Sequence, residues 1–270
     1  MSDVFDILVE HEIQNNLLLS LITNSRARYA NDWLLATVSD SGGDIVLTAL
    51  CVNPFDLLLY ETGNNCHNDA VELLAQEMRR IGCFPPGVMA QSDLAWRFAD
   101  KFSAAGTFRL HMSTSLMRLD NLAEHKKAPG SYRTLEPRDM FFAPYWERAF
   151  SEDCRSHAFS IPENTKRLRT RLGKDTHYIW EDSFPVSQAV HGRDTPNGAV
   201  INGVYTPPHY RGRGYATSIV AALSSTLLER GKSFCCLVAD SDNPVSCGIY
   251  RKLGYYDVCT LEDIRFDIRK

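Results

Sequence analysis

The feature that most constrains this chain is an abrupt change of backbone regime near its C-terminal third. A β-like run, Ala199–Thr206, stops at Pro207-Pro208, and a helical run, Gly214–Arg230, begins six residues later. Proline has no N–H for a ladder, so the strand must end there. The intervening turn, His209-Tyr210-Arg211-Gly212-Arg213, is basic and ends at a second glycine, Gly214. The first amides of a helix have no intrahelical acceptor and carry partial positive charge. Gly212 and Gly214 let backbone come close to a ligand, and Arg211 and Arg213 add charge. A strand, a glycine turn and a helix start in this order suit an oxyanion, above all a phosphate.

The rest of the chain reads as alternating short strands and amphipathic helices, an α/β (α+β) pattern. Phe5–Ile22 has helical spacing. Trp33–Val38, Ile45–Val52 and Phe55–Tyr60 read as strands, with Ser41-Gly42-Gly43-Asp44 as a hairpin turn. Residues 67–81 form a helix opened by Asn68 or Asp69, and residues 91–104 a second one capped by Ser92. Pro85-Pro86-Gly87 is a turn, and Phe108–Leu119 a strand. Residues 120–130 carry charge, Pro and Gly with little to bury, which predicts a linker and two domains, 1–127 and 131–270. In the second, strands are expected at Tyr132–Leu135, His177–Trp180, Val186–His191, Ser233–Ala239, Tyr255–Val258 and Ile264–Ile268. Helices are expected at Arg138–Phe150, Pro162–Leu172 and Pro244–Leu253. The order of elements in the first half loosely echoes the second, which suggests a tandem of one fold with one copy decayed.

Three phosphate-binding patterns compete for the turn. G-x-x-x-x-G-K-[ST] is absent, and G-x-G-x-x-G/A fails because Thr217 stands at its last position. The third fits: Arg211-x-x-Gly214-x-Ala216 resembles the Q/R-x-x-G-x-G/A signature of the GNAT N-acetyltransferase superfamily, which binds the pyrophosphate of coenzyme A. A second stretch, Asn243-Pro-Val-Ser-Cys-Gly-Ile-Tyr250-Arg-Lys-Leu-Gly-Tyr255, is similar to the family's other cofactor motif. One helix and one strand fit between the two. The resemblance is strong over 131–270. The corresponding turn of the first half, Tyr60-Glu61-Thr62-Gly63-Asn64-Asn65, has one Gly and no Arg. The whole chain looks weakly like two-part bacterial acetyltransferases and the glycine N-acyltransferase group, where a degenerate half precedes a catalytic one.

The resemblance implies a central mixed, mostly antiparallel sheet with a splayed strand pair and flanking helices, built twice. It implies an acetyl-CoA-dependent N-acetyltransferase acting directly on a primary amine of a small molecule. The alternatives are an amino-acid N-acyltransferase using a larger acyl-CoA and a non-catalytic acyl-CoA binder. Val204, Tyr205 and Thr206 would offer the strand edge to the pantetheine arm, and Arg211, Gly212, Arg213, Gly214, Tyr215, Ala216 and Thr217 would hold the pyrophosphate. Tyr205 is equally well a packed strand aromatic, and Ser218 reads as a helix cap. Tyr250 matches the family's general acid: a phenol near 10 can protonate a thiolate whose thiol lies near 8.5. Asn243 either caps its helix or meets the cofactor, and Cys247 reads as packing. Some members of the family carry a Glu early in the strand before the loop, a position held here by Ala199, so the base is unassigned; Glu181, Glu152, Asp153 and His191 are polar candidates, and a water relay is equal to them. The basic run Lys166–Arg171 reads as a solvated face.

A formal net charge of -4 argues against a nucleic-acid partner. Residues 1–130 hold 10 basic and 16 acidic residues, and residues 131–270 hold 19 and 17, so an anionic ligand suits the second half better. No apolar stretch reaches membrane-span length, and the acidic start is unlike a signal peptide. The eight Cys show no C-x-x-C pair and no zinc spacing, so no metal is expected. They read as buried free thiols of a cytoplasmic protein, either monomer or homodimer.

Overall fold

The computed structural model describes residues 2–24, 33–63, 65–103 and 107–267. Asn64, Ala104 and Ile268, which the sequence reading placed in a turn, a helix and a strand, lie outside them. The chain forms two compact units, Met1–Leu116 with Asp257–Lys270, and Met117–Tyr256.

The first unit runs α1 (Ser2–Glu10), α2 (Asn16–Asn24), β1 (Trp33–Ser39), β2 (Ile45–Val52), β3 (Leu57–Glu61), α3 (Asn68–Arg80), β4 (Gly87–Gln91), α4 (Ser92–Phe102) and most of β5 (Phe108–Leu119). It is completed by the last strand of the chain, β11 (Tyr256–Phe266). Its strand order is β1-β2-β3-β4-β11-β5. β3 and β4 are parallel, while β1/β2, β2/β3 and β4/β11 are antiparallel. Phe98, Leu57, Val88 and Ile264 are fully buried on the face covered by α3 and α4, and Leu8 and Leu50 on the face covered by α1 and α2.

Several expectations change here. The helix expected over Phe5–Ile22 is two helices. At the break Asn15 and Asn16 are buried, and their amides donate to the Leu8 (3.1 Å) and Ile13 (2.6 Å) carbonyls. Such side chains compete with the helix for backbone acceptors. β4 was unexpected because Gly87-Val-Met-Ala-Gln91 is too short to show a period. Of the two strands expected at Tyr255–Val258 and near Ile264, Tyr256–Val258 and Ile264–Phe266 belong to one strand, β11. Neither Asn68, Asp69 nor Ser92 caps a helix: the caps of α3 and α4 are His67 and Gln91, without side-chain bonds.

The second unit holds β6 (Ser131–Thr134), a 3-10 turn (Pro137–Phe141), α5 (Ala143–Asp153), α6 (Ile161–Arg169), β7 (His177–Asp182), β8 (Phe184–Asp194), β9 (Gly198–Tyr205), α7 (Tyr215–Glu229), β10 (Phe234–Asp240) and α8 (Pro244–Lys252). The strand order is β10-β9-β8-β7-β6, antiparallel except for the β9/β10 pair. Pro144 divides the helix expected over Arg138–Phe150, because its missing N–H fits only the first turn of a new helix. Trp180, Ile219, Leu223, Cys235 and Leu253 form the core under α7 and α8. The stretch read as a linker lies on this unit: Ala123 N–H donates to Leu253 O (2.9 Å), and Trp180 Nε1 to Pro129 O (2.7 Å). Glu124 and Lys126 are exposed, while backbone groups of Ala123, Ala128 and Pro129 are bonded to the unit.

All eight cysteines are free; Cys51, Cys235, Cys236 and Cys247 are buried, and Cys66 is exposed, against expectation. Among the described residues no helix is long and apolar enough to cross a membrane, and no group of three or more His, Cys, Asp or Glu is placed to hold a metal.

Candidate active site in the second unit

The site is built where β9 and β10 part. They pair in parallel only over Phe234↔Gly198, Cys235↔Ala199 and Cys236↔Val200. Beyond that, Ile201–Tyr205 and Leu237–Asp240 face each other without a ladder. On its other side β9 is held by β8, whose register shifts between Gln188 and Val190 and again between His191 and Arg193. Such irregularities bend a strand and increase its twist, which carries the end of β9 away from β10. The open edge therefore follows from local backbone geometry.

At the end of β9, Val204 is half-buried against the core. Tyr205 is buried, with its ring 6.2 Å from Trp146 and the Arg211 guanidinium 5.9 Å above it. Of the two roles open to Tyr205, its side chain takes the packed one. Burial first, then the Asp153 charge, push its phenol above its usual range. Ser187 Oγ donates to Tyr205 O (3.0 Å) and also meets Thr206 Oγ1 (2.8 Å), which fixes the strand end.

The turn that follows has the conformation its glycines allow. Gly212 and Gly214 have φ of 77° and 84°, the left-handed region that a side chain disfavours. Gly214 is the N-cap of α7 and brings no side chain to the first-turn amides. The N–H groups of Tyr215, Ala216 and Thr217 thus begin α7 without a side-chain cap. The Tyr215 side chain is turned away from the turn: its ring is buried and its hydroxyl donates to Asp182 Oδ2 (2.6 Å). Arg213 lies over the Tyr210 ring at 5.9 Å. Arg211 donates through Nε to Thr206 O (2.9 Å) and through Nη2 to Asp153 Oδ2 (2.7 Å). Ser218 does not cap α7; its Oγ accepts the Ala128 N–H at 2.7 Å.

Asn243 is the N-cap of α8 and accepts the Ser246 N–H at 3.0 Å, so of its two roles the side chain performs capping. Cys247 is buried and its thiol donates to Asp240 O at 3.5 Å, a packing arrangement. Tyr250 is 7% exposed, and its ring meets Tyr255 edge-on at 5.9 Å. Burial pushes its phenol above the usual range, opposed by a hydrogen bond with Ser246; the thiols of Cys154 and Cys247 lie close enough to add to the rise.

The four polar candidates for a base are all engaged. Glu181 pairs with Arg133 and Arg138, Glu152 with Arg148, Asp153 with Arg211, and His191 with Asp194 at 3.0 Å. Sequence reasoning missed a buried polar chain behind β9. Arg171 Nη1 lies 3.3 Å from His177 Nδ1, His177 Nε2 lies 3.3 Å from Gln188 Oε1, and Gln188 Nε2 donates to Glu147 Oε1 (3.1 Å) and Gly203 O (3.4 Å). Arg171 belongs to the run expected to be solvated. The available signal was a His and a Gln inside otherwise apolar strands.

Residues 183–263 match the family model described as FR47-like protein. Solved structures of the same architecture span nearly the whole chain. An acetyltransferase of the GNAT family from Colwellia psychrerythraea has 12% identity and a TM-score of 0.60, covering 92% of this chain and 96% of its own. The chain has the GNAT fold. A GCN5-related N-acetyltransferase from Sphaerobacter thermophilus superposes with a TM-score of 0.63 at 18% identity, over 88% of this chain and 81% of its own. A tandem GNAT protein from the clavulanic acid biosynthesis pathway has 13% identity and a TM-score of 0.55, over 97% and 93%. No curated protein matches the sequence closely. In GNAT terms the parted strands and the turn Arg211–Thr217 stand together in the second unit, with Tyr250 on the helix after β10.

The first unit repeats the parting without the turn. β3 and β4 pair only at Leu57↔Val88 and Leu58↔Met89. At the end of β3 stands Glu61, whose carboxylate accepts the His67 N–H (2.8 Å) ahead of α3 and is ion-paired with Arg97. Arg97 also bonds Asp93 at 2.6 Å. A carboxylate thus lies where the second unit offers bare amides, and it repels a phosphate.

Proposed function

We propose that this protein is an acyl-CoA-dependent N-acyltransferase that moves an acetyl group to a primary amine of a small molecule by direct attack. The observation that carries this reading is the parting of β9 from β10 immediately before a basic glycine turn that opens α7. The free edge of β9 suits an amide-bearing chain that pairs as an added strand, and pantetheine is such a chain. The bare amides at the start of α7 suit its pyrophosphate.

When bound, acetyl-CoA supplies the thioester. The protein's part is to hold it, to stabilise charge developing on the acyl oxygen, and to protonate the leaving sulfur. Tyr250, on the helix that follows β10, is assigned the last task. The free thiols fit a reducing compartment such as the cytoplasm.

Gly214→Glu should abolish coenzyme A binding. The substitution puts a side chain at φ 84° and a negative charge at the mouth of α7. Calorimetry with coenzyme A measures this, and unchanged affinity would remove the turn from the site. The same titration of the wild-type protein should give one coenzyme A per chain, because Glu61 fills the matching place in the first unit. Two equivalent molecules per chain would contradict that account.

A further inference from the structure

We propose that Asp153 receives the positive charge of the acceptor amine, and that Arg211 masks it until acyl-CoA binds; the proposal rests on the acyl-CoA reading above. Asp153 ends α5, and its carboxylate is held by Arg211 Nη2 at 2.7 Å. Both side chains are about half exposed, 50% for Arg211 and 54% for Asp153. Two residues on, Arg155 Nη2 reaches Asp240 Oδ2 at the end of β10, at 3.0 Å. Residues 153–155 are therefore tied both to the turn beyond β9 and to the tip of β10, the two strands that part. Between these two ion pairs lies Cys154, whose thiol is near enough to the Tyr250 phenol for their charges to interact. Asp153 is thus the sequence neighbour of a residue whose thiol interacts with the group assigned to the leaving sulfur.

Arg211 belongs to the turn that the pyrophosphate would occupy. An exposed ion pair contributes little and is easily exchanged. A pyrophosphate brings more charge than one carboxylate and matches the guanidinium fork. Once Arg211 turns to it, Asp153 loses its partner beside the parted strands. The other acids of α5 keep theirs: Glu147 is held by Gln188 and Arg171, and Glu152 by Arg148. The charge that complements the uncovered Asp153 is a protonated amine, which gives its proton to solvent water before its nitrogen attacks. An acceptor whose own carboxylate lies beside its amino group would be repelled, so the site selects cationic amines over amino acids.

Asp153→Asn tests this because it should move the two ligands in opposite directions. Coenzyme A should bind about 2- to 5-fold more tightly by calorimetry, since Arg211 is freed in advance. In thiol-release kinetics with acetyl-CoA and the probe amines putrescine, tyramine and glycine, the two cationic amines should be preferred. The variant should raise KM for both by about tenfold or more, with little change in kcat. Asp153→Glu should restore the amine KM. Unchanged or weaker coenzyme A binding in Asp153→Asn, an unchanged amine KM, or a preference for glycine would each overturn the proposal. A wild-type protein without affinity for coenzyme A would overturn the acyl-CoA reading itself, and this proposal with it.

Discussion

Tyr250→Phe is expected to lower turnover by about 10²–10⁴-fold, the usual worth of a positioned acid, while coenzyme A affinity stays nearly constant. The change keeps the ring, which meets Tyr255 at 5.9 Å and is buried in the core of the second unit. It removes one proton and one hydrogen bond, that with Ser246. A phenol is protonated at neutral pH, and burial moves the Tyr250 pKa further up. That rise does not disqualify it as a donor, because the same dry surroundings also destabilise the thiolate it would protonate. Steady-state turnover beside a coenzyme A titration is the measurement. Near-native turnover in the variant would leave Tyr250 as a packing residue and the acid unassigned.

The site was legible in the sequence where function depends on backbone shape. Two prolines ending a strand, and glycines at Gly212 and Gly214, write the turn into the residue types, because few others adopt that backbone. What could not be read was the direction of side chains with two plausible destinations. Tyr215 and Tyr205 lie in the site by sequence position, yet both rings are buried. Ser218 stands where a cap is common, but its hydroxyl accepts from Ala128, ninety residues earlier. The fold shows the same division. Long periodic runs such as Gly214–Arg230 and Phe108–Leu119 come out within a residue or two. The short β4 depends on its pairing with β3 and β11, the assignment of β11 to the first unit depends likewise on tertiary partners, and the break at Asn15-Asn16 rests on two side-chain amides that take nearby carbonyls. The segment 120–130 misled because charge was taken for solvation of the whole stretch, whereas its backbone is bonded to the second unit at Ala123, Ala128 and Pro129.

Acid should weaken the second unit through His177, an effect that composition cannot anticipate. His177 has no exposed surface, and burial first, then the Arg171 charge, lower its pKa from 6.5 to about 3. Arg171 can only donate, so Nδ1 accepts and the proton sits on Nε2, which donates to Gln188 Oε1. That orientation turns the Gln188 amide toward Glu147 and Gly203 O on the strand that bears the site. A second proton on His177 would place an N–H against a guanidinium. Gln188 and the more distant Asp139 favour the charged ring, but not enough to offset this. Above pH 6.5 the ring is neutral in both folded and unfolded chains and contributes no pH dependence. Below 6.5 the unfolded chain takes up a proton that the folded one refuses, so stability falls with acidification until about pH 3. The loss is about 1.4 kcal/mol per pH unit, on the order of 3 kcal/mol by pH 4. Urea unfolding from pH 7.5 to 4 should show the wild-type stability dropping by this amount relative to His177→Gln, since the carboxylates titrate in both proteins. If the two curves run parallel, His177 is protonated in the folded protein and the donor chain that orients Gln188 is not the one described.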